Sequence, residues 1–386
     1  MIAVGAGMSQ ESDAATASRE AVTAAVDGLD GDVSLVLLFA SGGPSSCADV
    51  LLKEACQISR TESVVGCSGM GVLSEVGEVE QRDAVTALAL SGDAIEAVPF
   101  LVSGEDVPIQ ISETLMPYSG DSGLLCLFPD ASTHNPGALV ATLDEAVPFP
   151  IVGGAPSGTP IDPRSYQWCR REVLQGGVSG VLLRGDVRIL TGVAQGCQPF
   201  GQAYGITKAE GNVIHQIAFA PAIDALKEAL DDLTPEEKEN VGPSIFVGLA
   251  MDEMATGRGR GDFLIRNLLG INPDDGSIAV GERVETGQTI QFNRRTPAAA
   301  HEDLLQTLEA VAGELGEDPV RFGLYFNCLG RGFGLFGQPD HDVGLITSRL
   351  GRFPLVGFFG NAELAPVGGK NFVHSYTGGL AVFTDA

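Results

Sequence analysis

A chain of 386 residues is too long for one comfortable hydrophobic core and predicts two domains. Its composition, 44% hydrophobic against 19% charged, is that of a folded chain and excludes a disordered one. A formal charge of −27 excludes a binder of nucleic-acid phosphates, and apolar runs as short as Leu35 to Ala40 exclude membrane insertion by a helix.

The N-terminus has no basic segment leading into an apolar stretch, so no signal peptide is expected and the location is read as cytoplasmic. Leu35 to Ser41 reads as a buried strand. A helix follows it, with Ser46 as cap, Asp49 answering, and Leu51, Leu52, Ala55 and Ile58 on one face. Next come the run Val64-Val65-Gly66-Cys67-Ser68-Gly69 and a strand from Ala84 to Leu90. Ser91-Gly92-Asp93 then predicts a hairpin returning as Ile95 to Val102.

The same order recurs. Leu124 to Asp130 is a strand, Asn135 caps a helix that starts at Pro136, and Ile151-Val152-Gly153-Gly154-Ala155 repeats the Val-Gly run. Val178 to Leu183, Arg184-Gly185-Asp186 and Val187 to Val193 repeat the strand, turn and return. A third set has Leu324 to Gly330, Asp340 capping ahead of Val343, Ile346 and Leu350, Leu355-Val356-Gly357, and a last strand from Gly379 to Phe383. First strand and Val-Gly run are separated almost equally each time, from 41 to 64, 130 to 151 and 330 to 355. The fold class is therefore α/β, with repeated β-α-β-β-β units forming mixed sheets flanked by helices.

The stretch between the second and third sets does not follow the repeat. Pro221 to Leu233 is an amphipathic helix, Thr234-Pro235-Glu236-Glu237 a capping box, and Val241-Gly242-Pro243 a break. Ile245 to Met251 reads as a strand, Met254 to Asp262 with Gly257, Gly259 and Gly261 as a mobile loop, and Phe263 to Phe292 as hairpins around Asn272-Pro273-Asp274-Asp275-Gly276. His301 to Leu315 is a further amphipathic helix.

Seven cysteines, odd in number and never spaced as Cys-x-x-Cys, predict neither a disulfide framework nor a metal site. Asp340-His341-Asp342 opens a helix and reads as capping rather than metal ligation. Gly332-Phe333-Gly334-Leu335-Phe336-Gly337 matches a dinucleotide fingerprint as a string, but Gln338 and Pro339 separate it from the helix that would hold the phosphates.

Val64 to Leu73, Gln195-Gly196-Cys197-Gln198-Pro199-Phe200-Gly201, Gly330-Arg331-Gly332 with Leu335-Phe336-Gly337, and Glu363 to Tyr376 together resemble the FIST (F-box and intracellular signal transduction) family. The resemblance implies an N-terminal FIST domain over residues 1–220 and a C-terminal one over 221–386. It also implies a cytoplasmic sensory module for a small ligand, with amino acids the proposed class. No F-box or output domain accompanies the pair, so a separate signalling protein is the expected partner. No cofactor is expected: some bacterial members are reported to bind haem, for which His374 would be the ligand, but a lone histidine is more often a satisfied hydrogen-bonding residue. The family's C-terminal loop carries Cys and Gly where this chain has Gly360 and Ala362, which counts against a thiol acting there.

Three clusters are candidates for the ligand. Gly66, Cys67, Ser68 and Gly69 offer backbone donors for a carboxylate or phosphate, or simply form a tight turn. Arg331, Asn361, Glu363, Asn371, His374 and Tyr376 could bind both ends of an amino acid, with Arg331 taking its carboxylate and Glu363 its ammonium, or Arg331 and Glu363 could bridge two loops. Gln195, Gly196 and Cys197 would line the same cleft. Function is thus read as non-enzymatic sensing. The alternatives are an enzyme on an amino-acid-like substrate with Cys67 or Cys328 as nucleophile, and a protein scaffold.

Overall fold

The computed structural model describes every residue except 1, 121, 160–161, 242–243 and 256–257, and gives no side chains for 239–241. The expected break at Gly242-Pro243 and the Gly257 part of the expected loop lie outside the described residues. By packing the chain forms two units, residues 1–193, 305–373 and 377–386, and residues 194–304 with 374–376. The fold is mixed α/β. No helix among the described residues is long and apolar enough to cross a membrane.

In the first unit the three apolar runs form the first strands Val33–Ser41, Gly123–Pro129 and Phe322–Cys328. Each pairs in parallel with its Val-Gly strand, Val64–Gly69, Ile151–Gly154 or Leu355–Gly360. A parallel pair requires a crossover, and the helices Ala48–Ser59, Pro136–Ala146 and His341–Leu350 supply it. Return strands Ala84–Ser91, Val178–Gly185 and Gly378–Asp385 run antiparallel to the first strands on their other side. The recurring glycine has a steric cause. A Cβ at Gly66, Gly153 or Gly357 would lie 1.8, 2.0 or 1.7 Å from the carbonyl oxygen of Leu38, Leu127 or Tyr325 on the neighbouring first strand.

The predicted caps fare differently. Asn135 accepts the amide of Ala138 at 3.1 Å, as expected. Ser46 instead lies within a tight turn that Pro44 initiates, so the helix begins later, at Ala48. Asp340 holds the position before its helix with φ 56° and makes no cap with its side chain.

The expected Gly-Asp hairpins do not form. After Gly92 the chain leaves its sheet, and Ile95–Val102 pairs with Val178–Gly185 of the next one. In the first sheet, the edge of Ala84–Ser91 is already held by Ala3–Ser9. Likewise Val187–Ala194 joins Gly378–Asp385 in the third sheet. Each copy is therefore larger than expected: a leading strand (Ala3–Ser9, Ile95–Val102 or Val187–Ala194), a leading helix (Ala14–Val26, Val107–Leu115 or Pro297–Leu315), then the predicted unit. In copy three, residues 195–296, which belong to the second packing unit, lie in sequence between leading strand and helix.

A short hairpin follows each Val-Gly strand, and it is exchanged. The hairpin Gly71–Ser74 and Gly77–Glu80 of copy one extends the sheet of copy three, that of copy two (Gln167–Cys169, Glu172–Leu174) the sheet of copy one, and that of copy three (Glu363–Val367, Lys370–His374) the sheet of copy two. The three sheets share one strand order, and the cycle of exchange closes. Three backbone hydrogen bonds repeat the cycle: Met70 N to Phe359 O at 3.2 Å, Ser157 N to Ser68 O at 3.2 Å and Asn361 N to Ala155 O at 2.9 Å.

One face of each sheet carries helices and the other meets a common core. At its centre lie Phe39, Phe128 and Phe326, one from each first strand and each next to the residue whose carbonyl faces a Val-Gly glycine. Their ring centroids are 5.3, 5.7 and 6.1 Å apart. Two of the three pairs are edge-on, at 84° and 88°, an arrangement that adds about 1 kcal/mol beyond area burial. Phe358 packs on all three, and the corresponding residues of the other copies are only Cys67 and Gly154. One ring fills space near the pseudo-threefold axis that three large side chains could not share.

The second unit is an antiparallel barrel, with the order Cys197–Glu210, Thr289–Arg295, Ile245–Ala250, Phe263–Ile271, Ile278–Val280 and Val213–Ile217, closed by pairing of the first and last. Closure removes exposed strand edges. The helix Ala222–Asp231 buries Leu226 and Ala229 against it. Thr234 and Glu237 form the predicted capping box, with the Thr234 amide donating to Glu237 at 2.8 Å and the Glu237 amide to Thr234 at 3.3 Å.

Candidate ligand-binding site

Gly66, Cys67, Ser68 and Gly69 all belong to a fully buried strand. The Ser68 amide donates to Tyr166 O at 2.9 Å. The Ser68 hydroxyl donates to Ser157 O and accepts the Tyr166 amide, both at 2.9 Å. These groups tie copy one to the segment that follows the Val-Gly strand of copy two. Burial pushes the Cys67 thiol well above its ordinary value.

Arg331 is fully buried at the end of the first strand of copy three, and its partner is Asp342. Nε and Nη2 donate to the two carboxylate oxygens at 2.8 and 3.1 Å, a fork that fixes both groups. Tyr325 and Asn327 donate to the same carboxylate at 2.8 and 3.1 Å, and His341 Nδ1 lies 2.8 Å from it. Burial opposes the charge on Asp342, but Arg331 and these hydrogen bonds outweigh it and hold the carboxyl below its usual value. The expected capping role of Asp342 hid this pair.

Beside it lies Glu78, from the exchanged hairpin of copy one. Its Oε1 accepts the Val343 amide at 2.9 Å, and its Oε2 is buried with no hydrogen-bond partner among the described residues. Burial first, then the negative charge of Asp342, raises the Glu78 carboxyl from 4.5 to about 8. A carboxyl raised on folding stabilises fully below its unfolded value and loses that contribution as pH rises through the folded one. Melting temperature is therefore expected to fall between about pH 4.5 and about pH 8 in the native protein, and to fall much less in Glu78→Gln, which mimics the protonated form. Parallel declines in the two proteins would remove Glu78 as the cause.

Glu363 is fully buried and accepts the Thr377 amide at 3.1 Å. Asn371 accepts the Ile151 amide at 2.7 Å and donates to Asp144 at 2.8 Å and to Phe149 O at 3.1 Å, which fastens the exchanged hairpin to copy two. Gln195, Cys197, His374 and Tyr376 belong to the second unit. There the Gln195 amide donates to Gly261 O at 3.3 Å, Cys197 lies in an apolar cluster with Phe246 and Phe263, and the Tyr376 hydroxyl donates to Asn267 at 2.5 Å. His374 is buried, 1% exposed.

Asn361, among the residues singled out from sequence, is exposed and faces a cleft of about 240 Å³. Its amide donates to Pro156 O at 3.2 Å. Across the cleft, Asp130 ends the first strand of copy two. Its Oδ1 accepts the amide and hydroxyl of Ser132 at 2.7 and 2.5 Å, and its Oδ2 accepts the Ser165 hydroxyl at 2.6 Å and the Gly176 amide at 3.1 Å. Burial works against the charge, yet these donors prevail and keep the carboxyl below its ordinary value, so a fixed negative charge sits in the wall. Arg164 supplies the positive group, paired with Asp162 at 2.7 and 2.8 Å on an exposed surface. Such exposed pairs contribute at most about 1 kcal/mol, so the guanidinium is readily turned to another carboxylate. Asp130 and Arg164 were missed in sequence because nothing local ties them to the third Val-Gly loop. Asp130-Ala131-Ser132 was the available sign, since an aspartate that accepts from its neighbours holds a turn.

A FIST N domain model matches residues 34–218 and a FIST C domain model residues 222–366. The uncharacterized protein Rv0628c of Mycobacterium tuberculosis strain H37Rv is 35% identical over 389 residues, covering 99% of this chain and 100% of its own length. The uncharacterized protein Mb0898c of Mycobacterium bovis is 34% identical over 391 residues, covering 99% of each. FIST domains are associated with signal transduction and sensing. Matched by both domain models in sequence and by full-length relatives, the chain belongs to the FIST family.

Proposed function

We propose that this protein is a non-enzymatic intracellular sensor of a small amino-acid-like ligand that signals through a separate protein partner. What carries the proposal is the convergence of Asp130, Arg164 and Asn361 on one cleft of about 240 Å³. That volume suits a ligand smaller than a drug-sized molecule, and the three side chains offer a fixed anion, an exchangeable guanidinium and an amide. The guanidinium takes a ligand carboxylate as a fork, and the field of Asp130 favours an ammonium near it. The cleft adjoins the cyclic hydrogen bond from Asn361 to Ala155, so occupancy bears on how two copies are joined. The burial of Cys67, with its thiol pushed well above the ordinary value, argues against a thiolate nucleophile there.

The test is a thermal-shift screen with the free amino acids. At about a hundred times Kd a ligand adds about 2.7 kcal/mol to the folded state, enough to raise the melting temperature clearly. A subset of amino acids is expected to stabilise the native protein, and the Arg164→Gln, Asn361→Ala variant is expected to lose that response. Both substitutions fall on exposed side chains, so folding is preserved. No response in the native protein, or an undiminished response in the variant, rejects this site.

A further inference from the structure

The cleft at Asp130 has a counterpart in copy one. In copy two the walls come from the turn after the first strand (Asp130), the segment after the Val-Gly strand (Arg164), the turn before the return strand (Gly176) and, from copy three, Asn361. The same places moved back by one copy are Gly43, Met70, Asp83 and, from copy two, Asp162, and they line a cavity of about 400 Å³. We propose that this second cleft is a binding site for an organic ammonium ion with an apolar body, such as an arylalkylamine.

The copy-one cleft differs from its counterpart in the way such a ligand requires. Its described walls hold two carboxylates, Asp83 and Asp162, and no lysine, arginine or histidine. The charge of Asp162 is shared with Arg164, whereas Asp83 spends Oδ1 on the Gly43 amide at 2.8 Å, a neutral donor that orients the carboxylate and leaves its charge in place. The chain is built around that carboxylate. Gly42 has φ +69°, and a Cβ there would come within 2.1 Å of Asp83 Oδ1. Met70 adds a flexible thioether wall suited to an aromatic or aliphatic body. The Met70 wall facing an oriented carboxylate that makes no ion pair among the described residues selects a cation that carries hydrophobic surface.

The two clefts also share a boundary. Asp162 lines the copy-one cleft, and Arg164, bonded to it, lines the copy-two cleft. An ammonium drawn toward Asp162 loosens its hold on Arg164 and so favours carboxylate capture next door.

The test is titration of phenethylamine into the full chain labelled at its methionine methyl groups, followed by NMR. The Met70 resonance is expected to move saturably, while that of Met8 stays still. Phenethyl alcohol, of the same body without the charge, and Asp83→Asn are each expected to bind at least about tenfold more weakly, the loss of one modest charge contact. Asparagine keeps an oxygen for the Gly43 amide, and the native-protein titration does not depend on any variant. A Met70 signal that stays fixed to about 10 mM amine, or equal affinity for amine and alcohol, overturns the proposal. Because phenethylamine has no carboxylate, amine binding without any amino-acid response would sink the amino-acid reading of the other cleft and leave this one standing.

Discussion

Gly357→Ala is expected to abolish cooperative folding, while Gly344→Ala, thirteen positions earlier, is expected to stabilise the protein. At Gly357 the new Cβ would lie 1.7 Å from Tyr325 O and 2.7 Å from its carbon, both backbone atoms of the paired strand. Neither strand can retreat alone. Leu355–Gly360 is held by Phe322–Cys328 on one side and by the exchanged Gly71–Ser74 on the other, so relief would break two ladders. The next residue, Phe358, packs on the three central phenylalanines, so any shift also opens the core. Losses of about 4–5 kcal/mol or more attend such overpacking, against a total stability of about 5–15 kcal/mol. Gly344 is exposed within the helix His341–Leu350, and nothing lies within 4 Å of its Cβ position. There alanine is worth about 0.5–1 kcal/mol through backbone entropy. Denaturant midpoints of the two variants measure both claims. A Gly357→Ala midpoint equal to that of the native protein would mean the glycine is not required by the strand pair.

The repeat was legible because its determinants are local. Apolar runs, Asn135 with Pro136, and the Val-Gly ends all lie within a few residues of the structure they specify. The exchange of hairpins was not legible. Gly71–Ser74 carries the alternation any hairpin would, and only the open edge of Leu355–Gly360, far along the chain, selects where it pairs. The same holds for Ile95–Val102, whose Gly-Asp turn is compatible with return to its own sheet until Ala3–Ser9 occupies that edge. Of the candidate residues, Asn361 of the third Val-Gly loop faces a cleft, although its side chain also holds Pro156 O. Arg331 stood out equally, but its partner is Asp342, eleven positions on, in a triplet whose place at a helix start already explained it. Asp130 and Arg164 come together only when the long segment after the second Val-Gly strand folds back, tied by Ser165 to Asp130 at 2.6 Å. No periodicity in the sequence encodes that return.

Arg331→Met is expected to cost about 3–5 kcal/mol, and the reason can be isolated by asking what Asp342→Asn then does. In the native protein, Asp342→Asn is destabilising. The carboxylate accepts from Arg331 twice, from Tyr325 and from Asn327, and an amide offers one oxygen where two are needed. In Arg331→Met the balance reverses. The carboxylate has lost the guanidinium that outweighed its burial, so the cost is now that of a poorly compensated buried charge, and neutral asparagine removes it. The same substitution should therefore change sign between the two backgrounds, which a double-mutant cycle measures directly. Acid titration supplies a second readout. A carboxyl depressed on folding stabilises above its unfolded value, 3.8, and loses that contribution as pH falls through the folded one. Without Arg331 the folded value rises, so the acid midpoint of Arg331→Met should move to higher pH, and Asp342→Asn in that background should move it back. If Asp342→Asn destabilises both backgrounds alike, the two residues are independent and the fork between them carries no net energy.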